Sequence, residues 1–174
     1  KMSKSLGNSI LPMQFITGEH PLLDKPYSAM TVRFLFMQSH YSSELDITIK
    51  GLQDAEKGFR KLMNAAKYLA EFKFDTAALD EQQDKLIQEL CNECKTVMDD
   101  DFNAPKLLAT LYELATQINI YYNDGKKVSN ISKATFNLLQ TTYNGYLFDV
   151  LGLSDEAAAG NNEALDKVMQ LVID

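Results

Sequence analysis

The sequence predicts an all-α protein: an antiparallel helical bundle over residues 46–174, preceded by a loop and a small helical subdomain over residues 1–45. Three observations predict it. From about Pro26 onward, apolar residues recur at intervals of three and four, as they do on one face of a helix. No segment alternates convincingly between apolar and polar residues, as a half-buried strand would. The breaks between periodic stretches carry helix-ending residues, as in Asn123-Asp124-Gly125 and in Gly152 directly after Leu151. With 174 residues, 45% of them hydrophobic, the chain can close one substantial core without covalent staples.

Taken in order, 11–16 reads as a short extended piece or a helical turn. Pro26 followed by 27–41 reads as a helix with proline in its first turn. A long amphipathic helix follows, with Ile49, Leu52, Phe59, Leu62, Met63, Ala66 and Leu69 on one face. The stretch 79–98 places Leu86, Ile87, Leu90, Cys94 and Val97 together. The next, 103–122, uses Leu107, Leu111, Leu114 and Ile118, and 132–151 uses Phe136, Leu139, Tyr143 and Leu147. A last helix is expected over 163–174, where the apolar pattern still runs at the final residue. Both ends therefore read as boundaries inside a longer polypeptide. There are no repeats and no low-complexity linker.

The net charge of −7 argues against a broadly nucleic-acid-binding surface, but it is unevenly spread. Residues 1–70 carry nine Lys/Arg and six Asp/Glu, whereas residues 71–174 carry eight and eighteen. A polyanion, ATP or RNA, is expected to meet the first part. No apolar run approaches the roughly 20 residues of a membrane span. Two cysteines cannot form a disulfide framework, so a soluble, cytoplasmic protein is expected.

Cys91 and Cys94 form a C-x-x-C pair, half of the roughly four ligands that structural zinc takes. No second pair or suitably spaced histidine accompanies them, and both lie in a helical pattern. They read as core or helix-surface thiols, and no metal ligand is assigned. Asp99, Asp100 and Asp101 raise the alternative of a magnesium site. They read instead as a junction, with negative charge ahead of the next helix N-terminus at Asn103 and Pro105. Phe102 is expected to plug the core at that corner. His20, beside Pro21, reads as a loop residue.

The first eight residues, KMSKSLGN, concentrate two lysines, two serines and a glycine. Such a loop can wrap a phosphate chain: Lys1 and Lys4 neutralise charge, while the Ser3 and Ser5 hydroxyls and backbone N–H groups complete the hydrogen bonds. By composition alone, a frayed basic terminus is the plainer reading.

The letters carry more. Lys1 to Ser5 reproduce the KMSKS signature of class I aminoacyl-tRNA synthetases. Downstream, MTVRFLFMQSHYSSELD (30–46) resembles the arginine-containing helix and His-Tyr turn of the cysteinyl-tRNA synthetase family. There Ser42 stands where arginine is usual. MDDDFNAP (98–105) resembles that family's MDDDFNTP, and Leu151-Gly152-Leu153 resembles its helix-ending segment.

The resemblance implies a segment running from the KMSKS loop (1–45, with the stem-contact subdomain) through a DALR-type, anticodon-binding-like bundle (46–174). It also implies activation of cysteine with ATP, magnesium-bound as substrate, and transfer to tRNA(Cys). Lys4 would contact ATP and the leaving pyrophosphate, with Lys1, Ser3 and Ser5 in support. Arg33 would orient the subdomain through an ion pair or touch the tRNA backbone. His40 and Tyr41 would brace the signature loop, no partner carboxylate being identifiable from sequence. Zinc would belong to a catalytic domain outside this chain, and the parent would be monomeric. This segment alone would be inactive. The rival readings are the cysteine ligase of mycothiol synthesis and a non-catalytic helical module that binds RNA or protein.

Overall fold

The computed structural model describes residues 9–75, 79–125, 127–128 and 130–155. The signature residues Lys1, Ser3, Lys4 and Ser5, and the expected helix over 163–174, lie outside them. Among the described residues the architecture is a helical bundle. Its helices are α1 (Pro12–Thr17), α2 (Ala29–Met37), α3 (Ile49–Glu71), α4 (Glu81–Asp99), α5 (Ala104–Asn123) and α6 (Lys133–Asn144), and α6 runs into a π-helical segment, Gly145–Val150.

Five of the helices start on a side chain that replaces a missing intrahelical acceptor. Ser28 Oγ accepts from Thr31 N, Thr48 Oγ1 from Gly51 N, Asp80 Oδ1 from Gln82 N and Gln83 N, Asn103 Oδ1 from Lys106 N, and Ser132 Oγ from Thr135 N. Each such cap stabilises its helix by about 1 kcal/mol. Ser28 also explains why α2 does not start at the expected proline. The chain stays extended through Pro26, Tyr27 N donates to Phe15 O of α1 at 2.7 Å, and helical geometry begins only after the serine cap. The helix also stops at Met37, short of His40 and Tyr41.

α3 is the central element, packing against α2 and against α5, while α4 lies against α5 and α6. Its apolar stripe of Leu52, Ala55, Phe59, Leu62, Met63, Ala66 and Leu69 is buried as the periodicity predicts. One contiguous core runs from Phe15 and Tyr27 through Phe34 to Leu151 and Leu153. Within it the Tyr143 hydroxyl donates to Leu62 O at 3.0 Å, so the buried phenol is not left unsatisfied.

Two features depart from a purely helical reading. Lys73–Phe74 (β1) and Lys127–Val128 (β2) pair in parallel, too briefly to leave an alternation in the sequence. The expected single helix over 132–151 changes to π geometry at Gly145. Buried Leu139, Tyr143, Leu147 and Leu151 recur every four residues. An α-helix of 3.6 residues per turn would rotate such a series steadily off the core. The π turn reduces that drift, and Leu151 N donates to Tyr146 O at 2.9 Å, five residues back.

Candidate functional site

The residues singled out downstream of the signature converge at one end of α2. Arg33, on α2, sends Nε and Nη2 to the same acceptor, Leu151 O, at 3.0 and 2.8 Å. That carbonyl belongs to the C-cap residue of the π segment and has no helical partner ahead of it. The guanidinium therefore acts as a positively charged cap, a favourable charge at a helix C-terminus. The contact is a charge-assisted hydrogen bond to backbone rather than the expected ion pair. Gly152 follows at φ +60, and a Cβ there would stand 3.1 Å from Arg33 Nη2, so glycine serves both the left-handed turn and the close approach.

Beyond α2, the His40 and Tyr41 rings pack together, tilted by 32° with centroids 4.4 Å apart. Both reach Asp101: Tyr41 OH donates to Oδ1 at 2.7 Å, and His40 Nε2 lies 3.8 Å from Oδ2. His40 Nδ1 pairs with Ser42 Oγ at 2.7 Å. The hydrogen bond to Asp101 is the main cause that raises the Tyr41 pKa above its usual value, because it favours the neutral, donating phenol. The carboxylate that sequence spacing does not disclose is thus Asp101, sixty residues away. Its presence does not create a nucleophile–base pair: the contacts here hold the Tyr41 hydroxyl and the His40 ring in place.

Asp101 belongs to the acidic corner between α4 and α5, where Asp99 ends α4, Asp100 receives Lys106 Nζ at 3.2 Å, and Asn103 caps α5. The junction reading therefore holds for these residues. Phe102 does not plug the core. It is 73% exposed, because Asp101 and Phe102 both adopt left-handed backbone, φ 56 and 52, which turns the ring outward. It lines instead an apolar groove of about 700 Å³ with Met13, Ile16, Val32, Phe36 and Tyr41.

Cys91 and Cys94 are core thiols on α4, buried among α4, α5 and α6 residues, and burial pushes them up to about 11 and about 12. Among the described residues no group of three or more His, Cys, Asp or Glu is placed to hold a metal ion. His20 is in a loop, its Nδ1 accepting from Leu22 N at 3.2 Å. No helix of the described residues is long and apolar enough to cross a membrane.

The DALR domain family matches residues 94–155, from the last turns of α4 to the last of the described residues. A protein of Cytophaga hutchinsonii named cysteine–tRNA ligase is 41% identical over 169 residues, covering 96% of this chain and 34% of that protein. The chain belongs to the cysteine–tRNA ligase family. A cysteine–tRNA ligase of Parabacteroides distasonis is also 41% identical, over 99% of the chain and 34% of its own length, and one of Anoxybacillus flavithermus is 33% identical with the same coverage. The chain spans about a third of the length of these relatives. In the ligase family chain described here, Arg33 and the His40–Tyr41–Asp101 cluster join the α2 region to the DALR-matching residues: both acceptors, Leu151 and Asp101, lie inside 94–155.

Proposed function

We propose that the protein carrying this chain activates cysteine with ATP and passes it to tRNA(Cys). The observation that carries this reading is the 41% identity, across 96% of the chain, to a protein named cysteine–tRNA ligase. The KMSKS match at residues 1–5 supports it and assigns the roles. The cysteine carboxylate attacks the α-phosphorus, the bond to the bridging oxygen breaks, and pyrophosphate leaves. Lys4 stabilises the charge that accumulates on that leaving group, with Lys1, Ser3 and Ser5 completing the cradle. His40 and Tyr41, held on Asp101, brace the turn that follows α2 and, through it, the signature loop. Residues 1–45 form the loop and the stem-contact subdomain, and 46–174 the bundle that docks tRNA. The working protein is cytoplasmic and monomeric, with magnesium bound to the ATP it consumes and zinc held outside this chain. These 174 residues alone do not form adenylate.

The test is cysteine-dependent exchange of pyrophosphate into ATP by the full-length protein carrying this chain, with and without Lys4→Ala, followed by a choice of acceptors. Exchange should fall by about 10²- to 10³-fold without Lys4, as when one charge-stabilising donor is removed. Transfer of cysteine to tRNA completes the reading. Transfer to an amino sugar alone would instead identify the ligase of mycothiol synthesis, and no exchange at all would leave a binding module.

A further inference from the structure

α1 is the first helix after the signature, Pro12 standing seven positions beyond Ser5. It is six residues long and buries only Phe15, while Leu11, Met13 and Ile16 are exposed. So short a helix does not hold its own position. Ile10, which packs against the core just ahead of it, adds one more apolar anchor. After α1 the chain turns back on itself. Gly18 ends the helix at φ +73, and a Cβ there would stand 2.7 Å from Pro26 N. Tyr27 N then donates to Phe15 O at 2.7 Å, which closes the loop over residues 18–26.

Two adjacent residues fasten that loop to α3. Asp24 accepts from Tyr27 OH through Oδ1 at 2.7 Å and from Gln53 Nε2 of α3 through Oδ2 at 2.8 Å. Lys25 Nζ donates to Glu56 Oε2 of α3 at 2.7 Å, and the other Glu56 oxygen receives Arg60 at 2.8 Å. Gln53 and Glu56 are three residues apart, so the two contacts grip one face of α3. The bonds from Tyr27 and then Gln53 hold the Asp24 carboxyl below its usual value, which keeps it a charged acceptor. None of these residues belongs to the His40–Tyr41–Asp101 cluster. Exposed polar contacts of this kind add little to stability. What they fix is placement: Phe15 sets the depth of α1 but lets it pivot, and two ties to α3 remove that freedom. Placement matters to a group that follows a leaving phosphate, because an error of about 1 Å can cost about 10²-fold in rate.

We propose that Asp24 and Lys25, held by Gln53 and Glu56 of α3, are positioning residues for Lys4: they fix α1, and through it the end of the signature from which Lys4 reaches ATP. They touch no substrate themselves. The proposal rests on the reading of Lys4 as the residue that stabilises the leaving pyrophosphate.

The experiment measures cysteine-dependent exchange of pyrophosphate into ATP by the full-length protein carrying this chain, as kcat and as KM for cysteine. The strap is cut on the α3 side with Gln53→Ala and on the loop side with Lys25→Met, which keeps the stem and removes the ammonium. With both changes exchange should be about 10-fold slower and the cysteine KM unchanged, because the interaction lost is one made as pyrophosphate leaves. Asp24→Ala should behave like that double variant. Asp24→Asn should stay near wild type, since its oxygen still accepts from Tyr27 and its NH₂ can donate to the Gln53 amide once that side chain is turned. A smaller folded fraction would also lower kcat, so every variant is repeated on Lys4→Ala. There the strap changes should lower the residual exchange no further, because the group they place is gone, whereas a folding defect lowers it by the same factor in both backgrounds. Wild-type kcat in the double variant would overturn the proposal. So would an equal fall with and without Lys4, or an Asp24→Asn protein as slow as Asp24→Ala. Each of these results leaves the ligase reading standing while the wild type exchanges, and a wild-type protein without exchange sinks both.

Discussion

Arg33 and Leu151, 118 residues apart, are joined by two hydrogen bonds from one guanidinium to one backbone oxygen, at 3.0 and 2.8 Å. The contact clamps α2 to the end of the π segment. It satisfies a carbonyl that the helix itself cannot, and it uses the planar fork that lysine lacks.

Replacing Arg33 with alanine should therefore destabilise the chain by about 1–2 kcal/mol, the range of a hydrogen bond to a charged group at a partly exposed site. Arg33→Lys should recover less than half of that, because a single ammonium cannot reproduce both bonds. Urea denaturation of the two variants checks the order, and a lysine variant as stable as wild type would contradict the clamp.

The glycines of the bundle should respond to alanine with opposite signs. Gly58, inside α3, faces the Tyr112 hydroxyl and the Phe34 ring, and an added Cβ would collide with the first and come within 3.2 Å of the second. Gly58→Ala should cost about 1–3 kcal/mol, as overpacking does, despite alanine's better helix propensity. Gly145 has φ −60 and nothing within 4 Å of a built Cβ, so Gly145→Ala should be stabilising by about 0.4–1 kcal/mol. Thermal unfolding of the pair settles whether space or propensity decides each position.

How much of this was legible in the sequence depends on the range of the interaction concerned. α3 to α6 were readable because each turn puts an apolar residue on the core face, and Leu52 to Leu69 or Leu107 to Ile118 repeat that signal several times. The start of α2 was not, because a single hydrogen bond accepted by Ser28 from Thr31 N outweighed the nearby proline. Phe102 was misread as core because hydrophobicity says nothing of φ, and two successive left-handed residues turned the ring to solvent. The Tyr41–Asp101 and Arg33–Leu151 contacts leave no periodic trace, since both link segments far apart in the chain. The β1–β2 pair is too short to alternate. The signature residues became visible through their letters alone, without help from spacing or burial.

Cys91 and Cys94 should be nearly inert in the folded chain. Burial raises them to about 11 and about 12, so at pH 8 only about one molecule in a thousand carries a Cys91 thiolate, and fewer still a Cys94 thiolate. A thiol-specific chromogenic disulfide reagent should label the native chain slowly and label both thiols at once in denaturant. Fast labelling of either thiol in native buffer would place it outside the core, against its burial on α4.

Tyr41 gives a prediction at alkaline pH. Its folded-state pKa lies above the usual 10, first because its hydroxyl donates to Asp101 and then because of partial desolvation and the Asp101 charge. A raised pKa means that the folded state favours the neutral phenol. The stabilisation is fully present below pH 10 and is lost as the pH climbs through the higher, folded value. Tyr41→Phe should thus be less stable than wild type at pH 7 to 9, and the gap should close above pH 10. Asp101→Asn keeps an acceptor and a residue that tolerates left-handed backbone, but removes the charge, so it should move the phenol back toward 10. Difference titration of phenolate absorbance, wild type minus Tyr41→Phe and Asp101→Asn minus the double variant, isolates this one tyrosine from the other raised phenols. A Tyr41 that titrates identically with and without Asp101 would mean that the 2.7 Å bond does not govern its protonation.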